Sequence, residues 1–192
     1  MRWFISDLHL FHKRIINRYG RSEFNSIDEM HTKIITEWNK NIKNKDVVYI
    51  VGDISFGSYE DTKSFIDKLN GNKILIRGNH DYRFTSKDII NMGFIDVRDF
   101  LRIKLSNTVE ILLSHYPYAV PWYKLLYYKL FKKHNYRPYY QHYPNDRGLY
   151  LIHGHHHGGP KFNDRNINVS CETLNYKPLS ESEICKYINR RV

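Results

Sequence analysis

Five short stretches of this 192-residue chain share one pattern, a Ser or Gly followed at once by a side chain able to bind a metal ion. They are Ser6-Asp7, Gly52-Asp53, Gly78-Asn79, Ser114-His115 and Gly154-His155. Two further donors stand two residues on, His9 in "DLH" and His157 in "GHHH". The last stretch, "LIHGHHHGG" (151–159), sets four histidines among glycines. Imidazole is the commonest metal ligand in proteins, and glycine lets backbone and ligands crowd around a small object. Taken singly, a strand-end Asp reads as a turn residue and a lone His as structural; seven donors in this order read differently. One ion takes about four to six donors, so seven, with a carboxylate able to bridge, suit two ions roughly 3.5–4 Å apart. Two divalent ions make hydroxide available near neutral pH and neutralise phosphate oxygens during an in-line displacement, so no Ser, Cys or Lys nucleophile is needed. His153 and His156 stay outside the set; exposed histidines are the plainer reading, with a role behind the ligands as the alternative.

For these side chains to converge, the chain must bring several strand ends to one edge. Apolar runs at 2–6, 47–51, 73–77, 109–114 and 149–153 read as strands, and one donor pair lies at the end of each. Ligands in open α/β folds bind at the carboxyl ends of strands, so strands sharing an edge would gather all five. Alternation in extended backbone would point Asp7 with His9, and His155 with His157, the same way. Helices are expected from a capping box at Ser26 and Glu29 through Ile42, over 60–69, over 86–92, and from a second capping box at Ser180 and Glu183. Strands alternating with helices indicate an α/β protein, and hairpin-like pieces over 94–114 indicate mixed rather than purely parallel sheets.

The length suits one domain, 1–192, with a sizeable core. No apolar stretch approaches the roughly 18 residues of a membrane span and no secretion signal is visible, so a cytoplasmic protein without membrane partners is expected. Cys171 and Cys185 lack Cys-x-x-Cys spacing and read as ordinary small apolar residues. The net charge of +10 attracts polyanions and points to phosphate-bearing partners, a merely basic surface being the alternative.

These residues resemble the signature of the calcineurin-like metallophosphoesterase superfamily, here Asp7-Leu8-His9, Gly52-Asp53, Gly78-Asn79-His80-Asp81, His115 and Gly154-His155-His156-His157. Within it, "SDLHLFHKRII" and "LNYKPLSESEI" are similar to the small bacterial and phage-type members. The resemblance implies a four-layer α/β/β/α sandwich, two mixed β-sheets flanked by helices. It implies that Asp7, His9, Asp53 and His157 hold one metal, and that Asp53, Asn79, His115 and His155 hold the other. Asp53 would bridge, and His80 would be general acid or electrostatic clamp, or alternatively a histidine that steadies a neighbouring carboxylate. Two divalent ions are implied, manganese first, with Fe, Zn, Co or Ni as alternatives. Gly52-Asp53 continues as "ISFG" without Arg, and the later motif ends in Asp81, so a protein serine/threonine phosphatase is disfavoured.

Between His115 and Gly154 lies a basic, Tyr-rich insertion at about 118–148. Its segment 122–147 holds seven of the sixteen tyrosines and a charge of +5. Cations among aromatic rings suit a nucleotide or single-stranded nucleic acid, with Lys132, Lys133 and Arg137 as candidate phosphate contacts. The helical spacing of Leu125, Leu126, Leu130 and Phe131 equally suits a packed helix or a dimer contact. Arg77 reads as a phosphate contact or as a structural ion pair; His12 and Lys13 read as pocket residues or, more plainly, as cap and surface. The function expected is a phosphodiesterase that cleaves a nucleotide or nucleic-acid diester with a metal-activated hydroxide. A phosphomonoesterase of the same architecture and a metal-stabilised nucleic-acid-binding module are the alternatives.

Overall fold

The computed structural model describes residues 1–106, 108–119 and 142–190. Lys132, Lys133 and Arg137, and the helix or lid expected around them, lie outside the described residues.

The five apolar runs are strands, and they divide between two sheets instead of sharing one. The first sheet has the order β10-β1-β2-β3-β4, built from β1 (Arg2–Ile5), β2 (Val47–Ile50), β3 (Asn72–Ile76), β4 (Phe94–Arg98) and β10 (Leu179–Ser180). The pairs from β1 to β4 are parallel and β10 is antiparallel to β1. The second sheet has the order β5-β6-β7-β9-β8, with β5 (Phe100–Lys104), β6 (Glu110–Ser114), β7 (Tyr150–His153), β8 (Phe162–Asn163) and β9 (Asn166–Asn168). Here β6-β7 and β7-β9 are parallel, and the outer pairs antiparallel. Both sheets are therefore mixed: the second through the β5-β6 hairpin within 94–114, as the sequence predicts, and the first through β10, which lies outside that stretch.

Strand composition follows position. In β1 and β2 every residue after the first is buried, as expected of central parallel strands covered on both faces. The edge strand β5, "FLRIK", alternates exposed with half-buried residues and puts charge on its open side. One apolar core joins Phe4, Ile50 and Leu75 of the first sheet to Leu113, Ile152 and Ile167 of the second.

Four α-helices complete the fold among the described residues, α1 (Ile27–Asn41), α2 (Tyr59–Ile66), α3 (Ser86–Asn91) and α4 (Glu181–Asn189), with short 3-10 turns at Ile15–Asn17 and Asp81–Arg83. Helix α1 buries Met30, Ile34 and Trp38, residues on the apolar stripe read from sequence. Its expected capping box is incomplete. Ser26 accepts the Glu29 N–H, but the Glu29 carboxylate accepts the Asn25 N–H instead of that of Ser26. The box at Ser180 and Glu183 is complete and starts α4. No helix among the described residues is long and apolar enough to cross a membrane.

Candidate metal centre

Beyond their last paired residues, the strands of the two sheets stay hydrogen-bonded to one another, and this places the donors. The chain after β1 runs beside the chain after β2: the Asp7 N–H reaches Gly52 O (2.9 Å), His9 reaches Asp53 O (3.0 Å) and Leu10 reaches Ile54 O (3.0 Å). After β9, residues 169–171 cross to the first sheet, where Ser6 N–H donates to Val169 O and Cys171 N–H to Ser6 O. The two sheets are thus joined at the edge where the donors lie.

The backbone there is not extended. Asp7, His9, Asp53 and His155 have φ of 57°, 48°, 57° and 65°, the left-handed region that costs a non-glycine residue about 1–3 kcal/mol. The extended backbone assumed for the pairs Asp7/His9 and His155/His157 is therefore corrected; Asp7 and His9 still face one place, His9 Nε2 standing 3.7 Å from Asp7 Oδ1. His155 and His157 point to different partners: His155 Nδ1 lies 3.1 Å from Asn79 Oδ1, whereas His157 Nε2 lies 3.6 Å from Asp7 Oδ1.

All seven side chains meet in one place, in two sets with Asp53 between them. On one side, His9 Nε2 stands 3.7 Å from both Asp7 Oδ1 and Asp53 Oδ2, with His157 on the same Asp7 oxygen. On the other, His115 Nε2 stands 3.4 Å from Asp53 Oδ2, 3.1 Å from Asn79 Oδ1 and 3.3 Å from His155 Nδ1. The donor atoms of Asp7, His9 and His157 all lie within 4.8 Å of one another, as do those of Asp7, Asp53 and His115.

A cation fits this arrangement. Donors about 2.0–2.2 Å from a shared ion stand roughly 3–3.6 Å apart, close to the spacings found. Among the described residues, neither ring nitrogen of the buried His9 has a hydrogen-bond partner, a costly state for a polar group unless something binds it. The surrounding glycines leave no spare room. A Cβ on Gly154 would strike the Ser6 and Asp7 side chains, and one on Gly78 would strike the side chain and backbone nitrogen of Asp53.

The charges of the metal-free form follow from the same contacts. Burial opposes ionisation of Asp7, but His9, His115 and His157 outweigh it and hold the carboxyl far below its usual range. Burial likewise opposes charge on His115, but Asp53 and Asp7 lift it to about 9. His115 Nδ1–H donates to Val51 O (2.9 Å), which leaves Nε2 to face the other donors. Burial and the neighbouring His115 push His155 down to about 4.

Asp81 holds both loops from beneath. Wholly buried, it accepts from the N–H groups of Asp53 (2.8 Å), Ile54 (2.9 Å) and Gly78 (2.8 Å). Burial and the charge of Asp53 raise it to about 6. Asp81→Asn keeps one acceptor and turns an NH₂ onto backbone N–H donors. It is expected to lower the unfolding free energy by about 2–3 kcal/mol and to weaken metal binding, measured by urea unfolding and metal titration.

The remaining expected residues are placed as follows. His80, exposed, lines a cavity of about 550 Å³ between Tyr19, Asp53, Asn79 and the 155–158 turn. Its N–H donates to Asp53 Oδ1 (2.9 Å), and its Nε2 is 3.9 Å from Asp53 Oδ2. Arg77 is buried and donates to Asp81 O, Phe84 O and Ser86 Oγ, bracing the turn after the Asn79 loop; its partners are not the acids of an ion pair. His12 stacks on Phe56 at 4.1 Å, beside His9, and Lys13 is exposed. His156 is exposed as expected, but His153 is buried and donates from Nδ1 to Gly154 O, because β7 carries it into the second sheet. Sequence reading passed over Tyr19, whose ring stacks on His157 at 4.3 Å, and over Arg21 and Glu172. None of the three stands in a motif or at a strand end, where the donors announce themselves.

A family model described as calcineurin-like phosphoesterase matches residues 2–184. An uncharacterized protein of Methanocaldococcus jannaschii is 30% identical over 197 residues, covering 98% of this chain and 91% of the relative. The gene 66 protein of Mycobacterium phage D29 is 29% identical over 196 residues, covering 88% and 87%. A crystal structure of a protein of unknown function from Aquifex aeolicus shares the fold with a TM-score of 0.69 and 29% identity, covering 97% of this chain and 98% of that one.

Proposed function

The chain belongs to the calcineurin-like phosphoesterase family, and on that premise we propose that it is a dinuclear metal phosphodiesterase acting on a nucleotide-containing diester. The observation that carries the reading is the pair of donor sets meeting at Asp53, His9 and His157 on one side and His115, Asn79 and His155 on the other. Asp7, His9, Asp53 and His157 would hold one ion, and Asp53, Asn79, His115 and His155 the second. Bound there, two divalent cations supply an acidified water as nucleophile and neutralise phosphate oxygens. Manganese is the metal we propose; mixed carboxylate, amide and imidazole donors suit it, as they suit Fe, Zn or Co.

The chain's own residues do the rest. Asp53 keeps the two donor sets in register, with Oδ1 fixed by the His80 N–H. His80 faces the cavity beside Asp53 and would give a proton to the departing oxygen or hold its charge. Tyr19, stacked on His157 and lining the same cavity, offers a ring to a base or sugar. The net charge of +10 favours a polyanionic substrate, and the two free cysteines suit a reducing cytoplasmic setting.

The test is turnover of chromogenic phosphodiester and phosphomonoester substrates by metal-stripped protein reloaded with Mn²⁺. Diester cleavage that depends on added metal is expected. Preference for the monoester would make the protein a phosphatase of the same architecture, and binding of metal and single-stranded nucleic acid with no turnover would make it a binding module.

A further inference from the structure

Behind the donors lies a buried ion pair that the proposed chemistry does not use. Arg21 is wholly buried, in the loop before α1, and Glu172 follows the segment that joins the two sheets. Arg21 Nε donates to Glu172 Oε1 (2.5 Å), and the Glu172 side chain is only 8% exposed. The rest of the guanidinium reaches the first donor loop and helix α1: Nη1 donates to Leu8 O (3.0 Å) and to Met30 Sδ (3.3 Å), and Nη2 to Asp7 O. The same Glu172 oxygen accepts from His157 Nδ1 at 2.9 Å. A carboxylate behind a histidine fixes its tautomer, and Nε2 of His157 is thereby left as a lone pair facing Asp7.

We propose that Arg21 and Glu172 are positioning residues that set the affinity of one metal position, the one formed by Asp7, His9 and His157 with Asp53, and leave the other to Asn79, His115 and His155. Two arguments support the asymmetry. First, every contact of the pair with the donor set falls on one side: the Asp7 and Leu8 carbonyls, flanked along the chain by the left-handed Asp7 and His9, and the His157 ring. Second, the other side has its own support, Val51 O for His115 and Asp81 for the Asp53 and Gly78 backbone. An ion pair kept out of water is expensive and often replaceable by apolar residues where only stability is at stake. Placed here, its geometry serves the histidine and the carbonyls it holds.

The inference rests on the two-metal reading, and its test separates the two. Metal-free wild type, Glu172→Gln and Glu172→Ala are each titrated with Mn²⁺ by calorimetry, with bound metal counted by elemental analysis and thermal unfolding recorded alongside. Gln keeps an acceptor for His157 but not the charge, so about a 10-fold loss of affinity at one position is expected, and about 100-fold for Ala, with the second position unchanged. Wild type that binds no metal overturns both readings. Two ions in wild type, with Glu172 variants that bind both unchanged or lose both equally, overturn the positioning role alone; a lowered unfolding temperature with unchanged affinity would mark a purely structural pair. Should the variants not fold, the wild type still decides: nitrogen-15 NMR of its histidines must show His157 protonated at Nδ1 without metal, the signal being assigned by its loss in His157→Gln. Protonation at Nε2 alone overturns the proposal.

Discussion

Asp53→Asn protein is expected to hold at most one divalent cation per chain and to cleave a phosphodiester on the order of 10³-fold more slowly than wild type, equivalent to about 4 kcal/mol of lost transition-state stabilisation. Asp53 Oδ2 faces both His9 and His115, so the amide exchanges the one charge between the donor sets for a neutral group. The change reaches further through His115. Asp53 is the foremost influence lifting that imidazole towards 9, so its removal lets His115 lose its proton at lower pH. In wild type a metal ion must displace this proton, since only neutral imidazole binds. Apparent affinity should therefore climb with pH up to about 9 and proton release should accompany loading; in Asp53→Asn both the climb and the release should shift to lower pH. Calorimetry in buffers of different ionisation enthalpy measures both. Wild-type stoichiometry and turnover in the variant would show that Asp53 does not join the two positions.

The second large effect belongs to His80→Ala, for which a loss of about 10²–10⁴ in kcat is expected with both metals retained. The separation is possible because the ring lies outside the cluster of close donors, 3.9 Å from Asp53, while the backbone N–H that holds Asp53 Oδ1 survives the substitution. Partial loss of hydration, with 43% of the side chain still exposed, holds the His80 imidazole below its ordinary range. The leaving group tells acid from clamp. Nitrophenolate departs without a proton, whereas a nucleoside hydroxyl needs one, so an acid predicts a much larger loss on the nucleoside ester. Equal losses on both substrates would make His80 an electrostatic contact only.

Five of the seven donors were legible because each is announced twice, by an apolar run and by the Ser or Gly that ends it; His9 and His157 were legible by standing two residues beyond such a donor. Their division between two sheets was not legible in those runs. "WFI", "VYI" and "YLIH" look alike, and only the long-range pairing of β1 with β2 and of β6 with β7 separates them; the two-sheet sandwich came from the family resemblance. The backbone at the donors ran against local preference. Alternation assumes extended residues, and the left-handed Asp7, His9, Asp53 and His155 are set by hydrogen bonds between loops distant in sequence. Arg21 and Glu172 carry no local mark at all, since a charged residue in a polar loop reads as surface until the chain around it closes.

The bridge from Ser6 to Ser170 also fixes an order of events in the life of the chain. A ribosome adds about 5–20 residues per second. Asp7 and His9 emerge first, but the strand segment that locks their loop is made only after another hundred and sixty or so residues, on the order of ten seconds or more later. Until then the chain beside Ser6 does not exist, His157 itself is made only shortly before it, and the early donors hang from an unfinished edge. Any cation held by Asp7, His9, Asp53 and His157 would therefore be taken up only after that segment is made.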